Sequence, residues 1–181
     1  PEDLENIKTM TAINTPKQKI IIHTGSSWKM MHWENENWVK LLEKIYELGS
    51  FEFIFIGATK DLEDYKYISS HLKFKTLSVI DQTNSLELVL LMRSVDFFIG
   101  VDSGPSNMAY IADLRSIVIY GPGPHMYMPS NPRDIIIDKS NGRGLYQRFF
   151  FKKSGFIHEI SVLDVYNAFY GFFMKRNDRV A

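Results

Sequence analysis

Short apolar runs alternate with longer amphipathic segments along most of this chain. The apolar runs begin at Lys19, Phe51, Thr76, Asp96, Ser116 and Asp134. Most of these runs are continuous rather than alternating, which is typical of parallel strands buried on both faces, and the segments between them have the length of helices. The pattern therefore predicts a doubly wound, Rossmann-like α/β fold with a parallel sheet of about six strands.

Five amphipathic segments carry the helices that this pattern predicts. They span residues 34–49, 60–72, 85–95, 103–114 and 161–176. Ser85 is placed to cap the third helix, and Gly49 to end the first. The last segment, rich in Phe and Tyr, is interpreted either as an ordinary core helix or as an element that packs on a further domain. Residues 1–18 show little apolar periodicity and are predicted to be a linker, with residues 19–181 forming one domain.

Composition narrows the classes of function. The chain has 21 basic and 21 acidic residues, so no global field attracts nucleic acid, and we expect no nucleic-acid partner. It has no cysteine, and its five histidines lack the spacing of a metal site, so we expect no metal and no cofactor. No apolar run approaches the roughly 20 residues of a membrane span, and the first residues are too polar for a signal peptide. We therefore expect a cytoplasmic protein.

Polar or glycine-rich loops follow four of the predicted strands. Their sequences are HTGSSWK, GATKD, DSGPSN and GPGPH. Ligands of open α/β sheets bind beyond the carboxyl ends of the strands, where such loops converge. Small residues let backbone N–H groups approach an anion, and a helix amino terminus adds partial positive charge. The loops therefore predict a phosphate-bearing ligand, for which a nucleotide is the expected class.

Three familiar motifs are absent from the sequence. Neither the dinucleotide fingerprint G-x-G-x-x-G after the first strand nor the P-loop motif occurs. A hydrolase triad of Ser26, His32 and Asp102 is disfavoured because the pattern G-x-S-x-G is missing. The residues alone therefore indicate neither a dehydrogenase, nor a P-loop NTPase, nor a serine hydrolase.

Three segments, in order, resemble the donor-binding half of the heptosyltransferase family. IIIHTGSSWKMMHWENENWVKLLEKI resembles its first strand, small-residue loop and Trp-containing helix, and FIFIGATKDLED resembles its second strand and glycine-acid turn. Residues 84–124 resemble its signature D-[ST]-G-x-x-H-x-A, followed by a strand and a G-P turn. The likeness runs roughly from Lys19 to Pro129.

The resemblance implies an inverting, metal-independent glycosyltransferase of the GT-B type. Its substrate would be a nucleotide diphosphate sugar such as ADP-heptose, and its acceptor would be of the lipopolysaccharide type. This chain would be one half of the GT-B fold, the nucleotide-sugar domain, and would need an N-terminal acceptor domain as its partner. We therefore expect no catalytic residue in this half and no turnover by it alone. Such an acceptor leaves open peripheral attachment at the inner membrane face.

The resemblance also assigns roles in the loops after the first two strands. Ser26 and Ser27 would bind the donor phosphates, because a hydroxyl and a loop N–H can both donate to phosphate oxygens. Asp61 or Glu63 would accept from the ribose hydroxyls. The alternatives are a plain turn with a serine cap for the first pair and an acid at a solvated helix amino terminus for the second.

The loop after the fourth strand carries the strongest match. By resemblance, Asp102, Ser103 and Gly104 contact the phosphates and the sugar: Gly104 permits close backbone approach, Ser103 caps the helix and donates to phosphate, and Asp102 accepts from a sugar hydroxyl. The alternative is a purely structural helix cap.

Two positions depart from the family pattern. The phosphate-binding lysine of the family falls on Met31, and its signature histidine falls on Asn107. Lys29 or a protonated His32 would be the substitutes for the missing lysine, while Asn107 keeps a hydrogen-bond donor but no charge.

These departures leave open a degenerate, non-catalytic nucleotide-binding or interaction module of the same fold. An epimerase of related fold is a third interpretation, for which no catalytic acid is evident.

Overall fold

Six parallel strands form one sheet in the computed structural model of the chain, which describes residues 16–25, 31–121, 134–139 and 155–177. The strands are β1 (Gln18–His23), β2 (Phe51–Phe55), β3 (Leu77–Ser78), β4 (Phe97–Val101), β5 (Ser116–Tyr120) and β6 (Asp134–Asp138). Their spatial order is β3-β2-β1-β4-β5-β6, and every neighbouring pair is parallel. The predicted doubly wound α/β fold with about six strands is confirmed.

Helices connect the strands across both faces of the sheet. They are α1 (Asn35–Tyr46), α2 (Leu62–His71), α3 (Ser85–Arg93), α4 (Gly104–Ile111), α5 (Gly155–His158) and α6 (Val162–Asn177). A 3-10 turn, Thr59–Asp61, leads directly into α2. The chain moves from β1 outward to β3, returns to β4 beside β1, and then moves outward the other way. The direction of winding therefore reverses between β1 and β4.

Each face of the sheet has its own apolar core because successive strand residues point to opposite sides. Ile20 and Ile22 of β1 pack with Trp38 of α1 on one face, and Ile21 packs with Met92 of α3 on the other. All five side chains are fully buried. Burying a side chain of this kind contributes about 1.5–3 kcal/mol, which explains why the middle of these strands is apolar on both faces rather than on one.

Aromatic residues hold α6 against the amino ends of the central strands. Phe169 of α6 is fully buried and meets Phe51 and Phe97 edge-on, with ring centroids 5.6 and 5.2 Å apart. Phe51 begins β2 and Phe97 begins β4. The interpretation of this segment as a core helix is therefore supported, and the helix leaves the carboxyl ends of these strands uncovered.

Three boundaries differ from the predicted ones. β1 begins at Gln18, inside the predicted linker, whose residues 1–15 lie outside the described part of the chain. β3 has only two residues. It lies at the edge of the sheet and pairs only with β2, whose last residue, Phe55, is opposite Ser78. The cap of α3 is Asn84 rather than Ser85: the Asn84 side chain accepts from the backbone N–H groups of Leu86 and Glu87.

Candidate functional site

A cavity of about 310 Å³ opens at the carboxyl edge of the sheet, where the loops after β1, β2, β3 and β4 converge. It lies at the point where the winding reverses, which is the position at which doubly wound folds bind their ligands. A larger, shallower groove of about 520 Å³ runs from the end of α2 to Thr76, just before β3. That groove lies toward the amino ends of the strands, so the carboxyl-edge cavity is the candidate site.

The end of β1 contributes a buried, neutral histidine. His23 lines the cavity, and its Nδ1 donates to the carbonyl of Ile56 at 3.2 Å. Burial lowers the pKa of His23, and nearby Lys60 lowers it further, whereas Asp61 and the bond to Ile56 raise it. Because Nδ1 carries the proton of the neutral ring, Nε2 is left as an acceptor. The predicted phosphate contacts Ser26, Ser27 and Lys29 follow in the chain but lie outside the described residues.

Asp61 connects the loops after β1 and β2. It lines the cavity but is only 2% exposed, and its Oδ2 accepts from the backbone N–H of Ala58 at 2.9 Å. A Cβ atom on Gly25 would lie 2.0 Å from its Oδ1, and one on Gly57 would lie 2.5 Å from its Oδ2. The carboxylate therefore occupies the space that two missing side chains leave. Glu63, the other predicted ribose contact, is exposed on α2 and is not part of the cavity wall.

The amino end of α4 forms the wall on the β4 side. Ser103 and Gly104 both line the cavity, as does Pro105. The Ser103 hydroxyl donates to the carbonyl of Val101 at 3.1 Å, while the Ser106 hydroxyl accepts from the Ser103 N–H and donates to the Ser103 carbonyl. A Cβ on Gly104 would meet nothing within 4 Å, so this glycine faces open space. Backbone N–H groups of a first helical turn have no partner within the helix and can bind an anion.

Three further predicted residues lie outside the cavity wall. Asp102 is half-buried; burial raises the pKa of its carboxyl, and a hydrogen bond with Tyr120 opposes this. Asn107 is exposed on α4. The Nδ1 of His32 lies 3.6 Å from a carboxylate oxygen of Asp64. The structure therefore brings together Asp61, Ser103 and Gly104 from the predicted set.

The position of the missing lysine is part of the core. Met31 is 8% exposed, and its sulfur lies 2.3 Å from where a Cβ on Gly121 would be, at the end of β5. The side chain therefore packs on the backbone of Gly121, directly after β5. Methionine neutralises no charge, so any cation that faces the cavity must come from another position.

Sequence reasoning missed two charged residues of the cavity wall, Lys60 and Asp81. Lys60 is exposed in the turn after β2, within the loop GATKD that had been singled out as polar. Asp81 follows β3 at the end of the run TLSVID and precedes the polar residues Gln82 and Thr83. The signal for Asp81 was the same as for the other loops: a polar residue directly after a buried apolar run.

Two kinds of feature are absent from the described residues. No group of three or more His, Asp and Glu side chains in that part of the chain is arranged to hold a metal ion. No helix there has both the length and the apolar character that crossing a membrane requires.

Comparison with known proteins identifies the family. The model of glycosyltransferase family 9 (heptosyltransferase) matches residues 2–144. The chain belongs to this family. A curated relative, lipopolysaccharide heptosyltransferase 1 of Campylobacter coli, is 27% identical over 113 residues, which are 60% of this chain and 33% of the relative. The resemblance found in the sequence is therefore confirmed.

Solved structures of family 9 proteins share the fold. A glycosyltransferase from Veillonella parvula matches 97% of this chain with a TM-score of 0.88 at 17% identity. The E. coli ADP-heptose lipopolysaccharide heptosyltransferase II matches 97% with a TM-score of 0.80 at 15% identity. In both cases the match covers 52% of the solved chain, so this family 9 chain spans about half the length of these structures.

Proposed function

We propose that this chain is the donor-binding domain of an inverting, metal-independent glycosyltransferase that uses a nucleotide diphosphate sugar. The observation that carries the proposal is the cavity at the point of reversed winding, with the open amino end of α4 in its wall, in a chain of family 9. A donor of the ADP-heptose type is favoured because one solved neighbour, E. coli heptosyltransferase WaaC, was solved with ADP-2-deoxy-2-fluoro heptose. The curated relative suggests an acceptor of the lipopolysaccharide type.

The chemistry required of this half is stabilisation of the leaving group. In an inverting transfer the acceptor oxygen attacks the anomeric carbon while the nucleoside diphosphate departs with its bonding electrons. Hydrogen-bond donors and cations that are held in position before the reaction stabilise the charge that develops on the departing phosphate. The Gly104 amide at the amino end of α4 and the Lys60 ammonium are the groups in the described cavity wall that suit this role.

The acceptor and the catalytic base belong, in this proposal, to an N-terminal domain. The chain alone then binds the donor without transferring its sugar. The complete protein acts in the cytoplasm, at or near the inner membrane face where an acceptor of this type is available. No cofactor is required, because the nucleotide sugar is itself the substrate.

Calorimetric titration of the chain with ADP and ADP-heptose tests the proposal. We expect binding of both, and we expect Lys60→Gln to weaken it about 10- to 100-fold, as for the loss of one hydrogen bond to a charged group. Lys66→Gln is the matched control, because Lys66 is also exposed but lies on α2 away from the cavity wall. Absence of binding to every nucleoside diphosphate and its sugar conjugates contradicts the proposal, as does sugar transfer by this chain alone.

A second candidate function is a non-catalytic nucleotide-binding or interaction module of the same fold. The packing of Met31 on Gly121 favours it, because the side chain at the family's lysine position is committed to the core. A nucleotide-binding module and a transferase domain both bind a nucleotide, so binding does not separate those two. Sugar transfer by the full-length protein does: the transferase has it and the module lacks it.

A further inference from the structure

The loop after β3 presents a carboxylate to the cavity. Asp81 is exposed and lines the cavity wall. Its Oδ2 accepts from the Thr59 hydroxyl at 2.7 Å, and its backbone N–H donates to the carbonyl of Gly57 at 2.9 Å. Both contacts are with the loop after β2, so they fix the direction of the side chain. No donor among the described residues is recorded at Oδ1, which leaves that oxygen for a ligand.

The backbone of Asp81 is in the left-handed region. Its φ is 60°, a conformation that glycine adopts without strain and that Asp tolerates better than most residues. Asp113, with φ 57°, is the other described residue of this kind besides glycine, and it lies just after the end of α4, where left-handed residues commonly end helices. Asp81 ends no helix. An unfavourable conformation kept next to a cavity suggests a use for the side chain.

The other acids near the cavity are less suited to bind a ligand. Asp61 is buried and accepts from the Ala58 N–H, and Glu63 lies outside the wall. Among the described residues, Asp81 is therefore the carboxylate that combines exposure, a fixed orientation and an oxygen left for a donor.

The order of the strands gives the cavity two chemically different ends. Strands in a sheet are about 4.8 Å apart, so the ends of β3 and β4 are separated by about 14 Å. Asp81, an acceptor, lies at the β3 end, and the Gly104 amide, a donor, lies at the β4 end. The apolar side chain of Leu88 also lines the cavity and comes from α3, the helix that follows β3. The β3 end therefore suits the hydroxyl groups and the apolar ring of a nucleotide, and the β4 end suits its phosphates.

We propose that Asp81 binds the vicinal hydroxyls of the donor ribose, with Thr59 holding its carboxylate in place. The inference rests on the proposed function, since it names a residue that selects the ribose of the nucleotide bound there. A carboxylate oxygen that accepts from a diol discriminates strongly against an analogue that lacks the hydroxyls, because its hydrogen bonds are then lost.

Titration with ADP and with 2′,3′-dideoxyadenosine diphosphate tests the assignment. We expect the unmodified protein to prefer ADP by about tenfold or more, as for a hydrogen bond to a charged group. Asp81→Gly removes the carboxylate and suits the left-handed backbone, so it should fold at least as well. In this variant ADP should bind no better than the dideoxy analogue, whose affinity should stay as in the unmodified protein.

Asp113→Gly is the matched control, because it replaces the other aspartate with positive φ at a position outside the cavity wall, and its ADP preference should be unchanged. The assignment is overturned if Asp81→Gly keeps the preference for ADP, or if the unmodified protein has none; ADP binding itself would then still support the proposed function. If neither ADP nor any other nucleoside diphosphate binds, the proposed function fails and the assignment fails with it.

Discussion

Asp61 shows how one carboxylate can join two loops at the wall of a cavity. Its oxygens fill the space above Gly25 and Gly57 and accept the Ala58 N–H. A sequence can indicate this role, because an acid three residues after a turn begins commonly accepts the first N–H of that turn. The resemblance to a family assigns ribose binding to the same residue, and that role stays a prediction. The burial that separates the two roles depends on the closeness of two loops, which spacing along the chain does not show.

Gly104 provides a direct test of the α4 wall. Its Cβ would enter open space, so Gly104→Ala should change the free energy of unfolding by no more than about 0.5 kcal/mol. The added methyl group should nevertheless weaken ADP binding, because it stands where a phosphate would approach the first helical turn. Calorimetry combined with thermal unfolding measures both effects.

Gly171→Ala is the control for this substitution, because a Cβ there also meets nothing within 4 Å but lies in α6. It should raise the unfolding free energy by up to about 1 kcal/mol, as expected for alanine in a helix, and leave binding unchanged. Equal ADP affinity in Gly104→Ala and the unmodified protein would show that no ligand group approaches this turn.

At the scale of elements, the hydrophobic pattern of the sequence predicted the positions of the strands more accurately than the residues that cap the helices. Short apolar runs, most of them continuous, predicted all six strands, because burial on both faces favours apolar side chains at successive positions. The cap of α3 was misplaced by one residue. Asn and Ser are equally good caps, and the deciding feature is Glu87, whose carboxylate accepts the Asn84 N–H at 2.7 Å. The three-residue spacing from Asn84 to Glu87 was visible in the sequence.

β6 carries an acid whose ionisation opposes folding. Burial raises the pKa of Asp134 to about 6, with a smaller opposing effect from Ser116, its partner across the ladder in β5. Because the pKa is higher in the folded state, the folded protein binds the proton more tightly. The destabilisation is therefore absent below the ordinary aspartate pKa of about 4 and complete above about 6.

Asp134→Asn should therefore raise the melting temperature at pH 7 and 8, and this gain should shrink as the pH falls from about 6 to about 4. Thermal unfolding across this range measures the effect. Asp138→Asn, at the other end of β6, is the matched control for removing one negative charge from the strand. A gain of the same size at pH 4 and pH 8 would mean that the carboxyl does not titrate in this range.

At the scale of the whole molecule, the class of fold followed from the sequence but the neighbourhood of the site did not. Alternation of strands and helices predicts a doubly wound sheet, yet it does not say which strand lies beside which. The cavity joins residues as distant as His23 and Gly104, because β1 pairs with β4. Lys60 and Asp81 enter the same wall because β2 pairs with β1 and β3 pairs with β2. Their roles depend on a strand order that no local pattern encodes.

The two departures from the family pattern are best tested in the full-length protein. If the site has lost transfer through decay, Met31→Lys together with Asn107→His should restore sugar transfer from ADP-heptose. If the site is retuned around Lys60, the same pair should lower transfer. In either case Met31→Lys should lower the melting temperature, because it places a charge where Met31 packs. The transfer rate of each single variant and of the double variant separates the two cases, and the melting temperature shows whether a loss of transfer reflects a loss of folding.

The aromatic packing of α6 also sets the order in which the chain can mature during synthesis. Every strand leaves the ribosome before Phe169 does, so Phe51 and Phe97 emerge without the ring that covers them. Until α6 is made, the nascent domain exposes apolar aromatic side chains at the amino edge of its sheet. Chaperones bind exposed apolar surface of this kind. The carboxyl-edge cavity lies at the opposite edge of the sheet, so its loops can assemble before α6 packs on the amino edge.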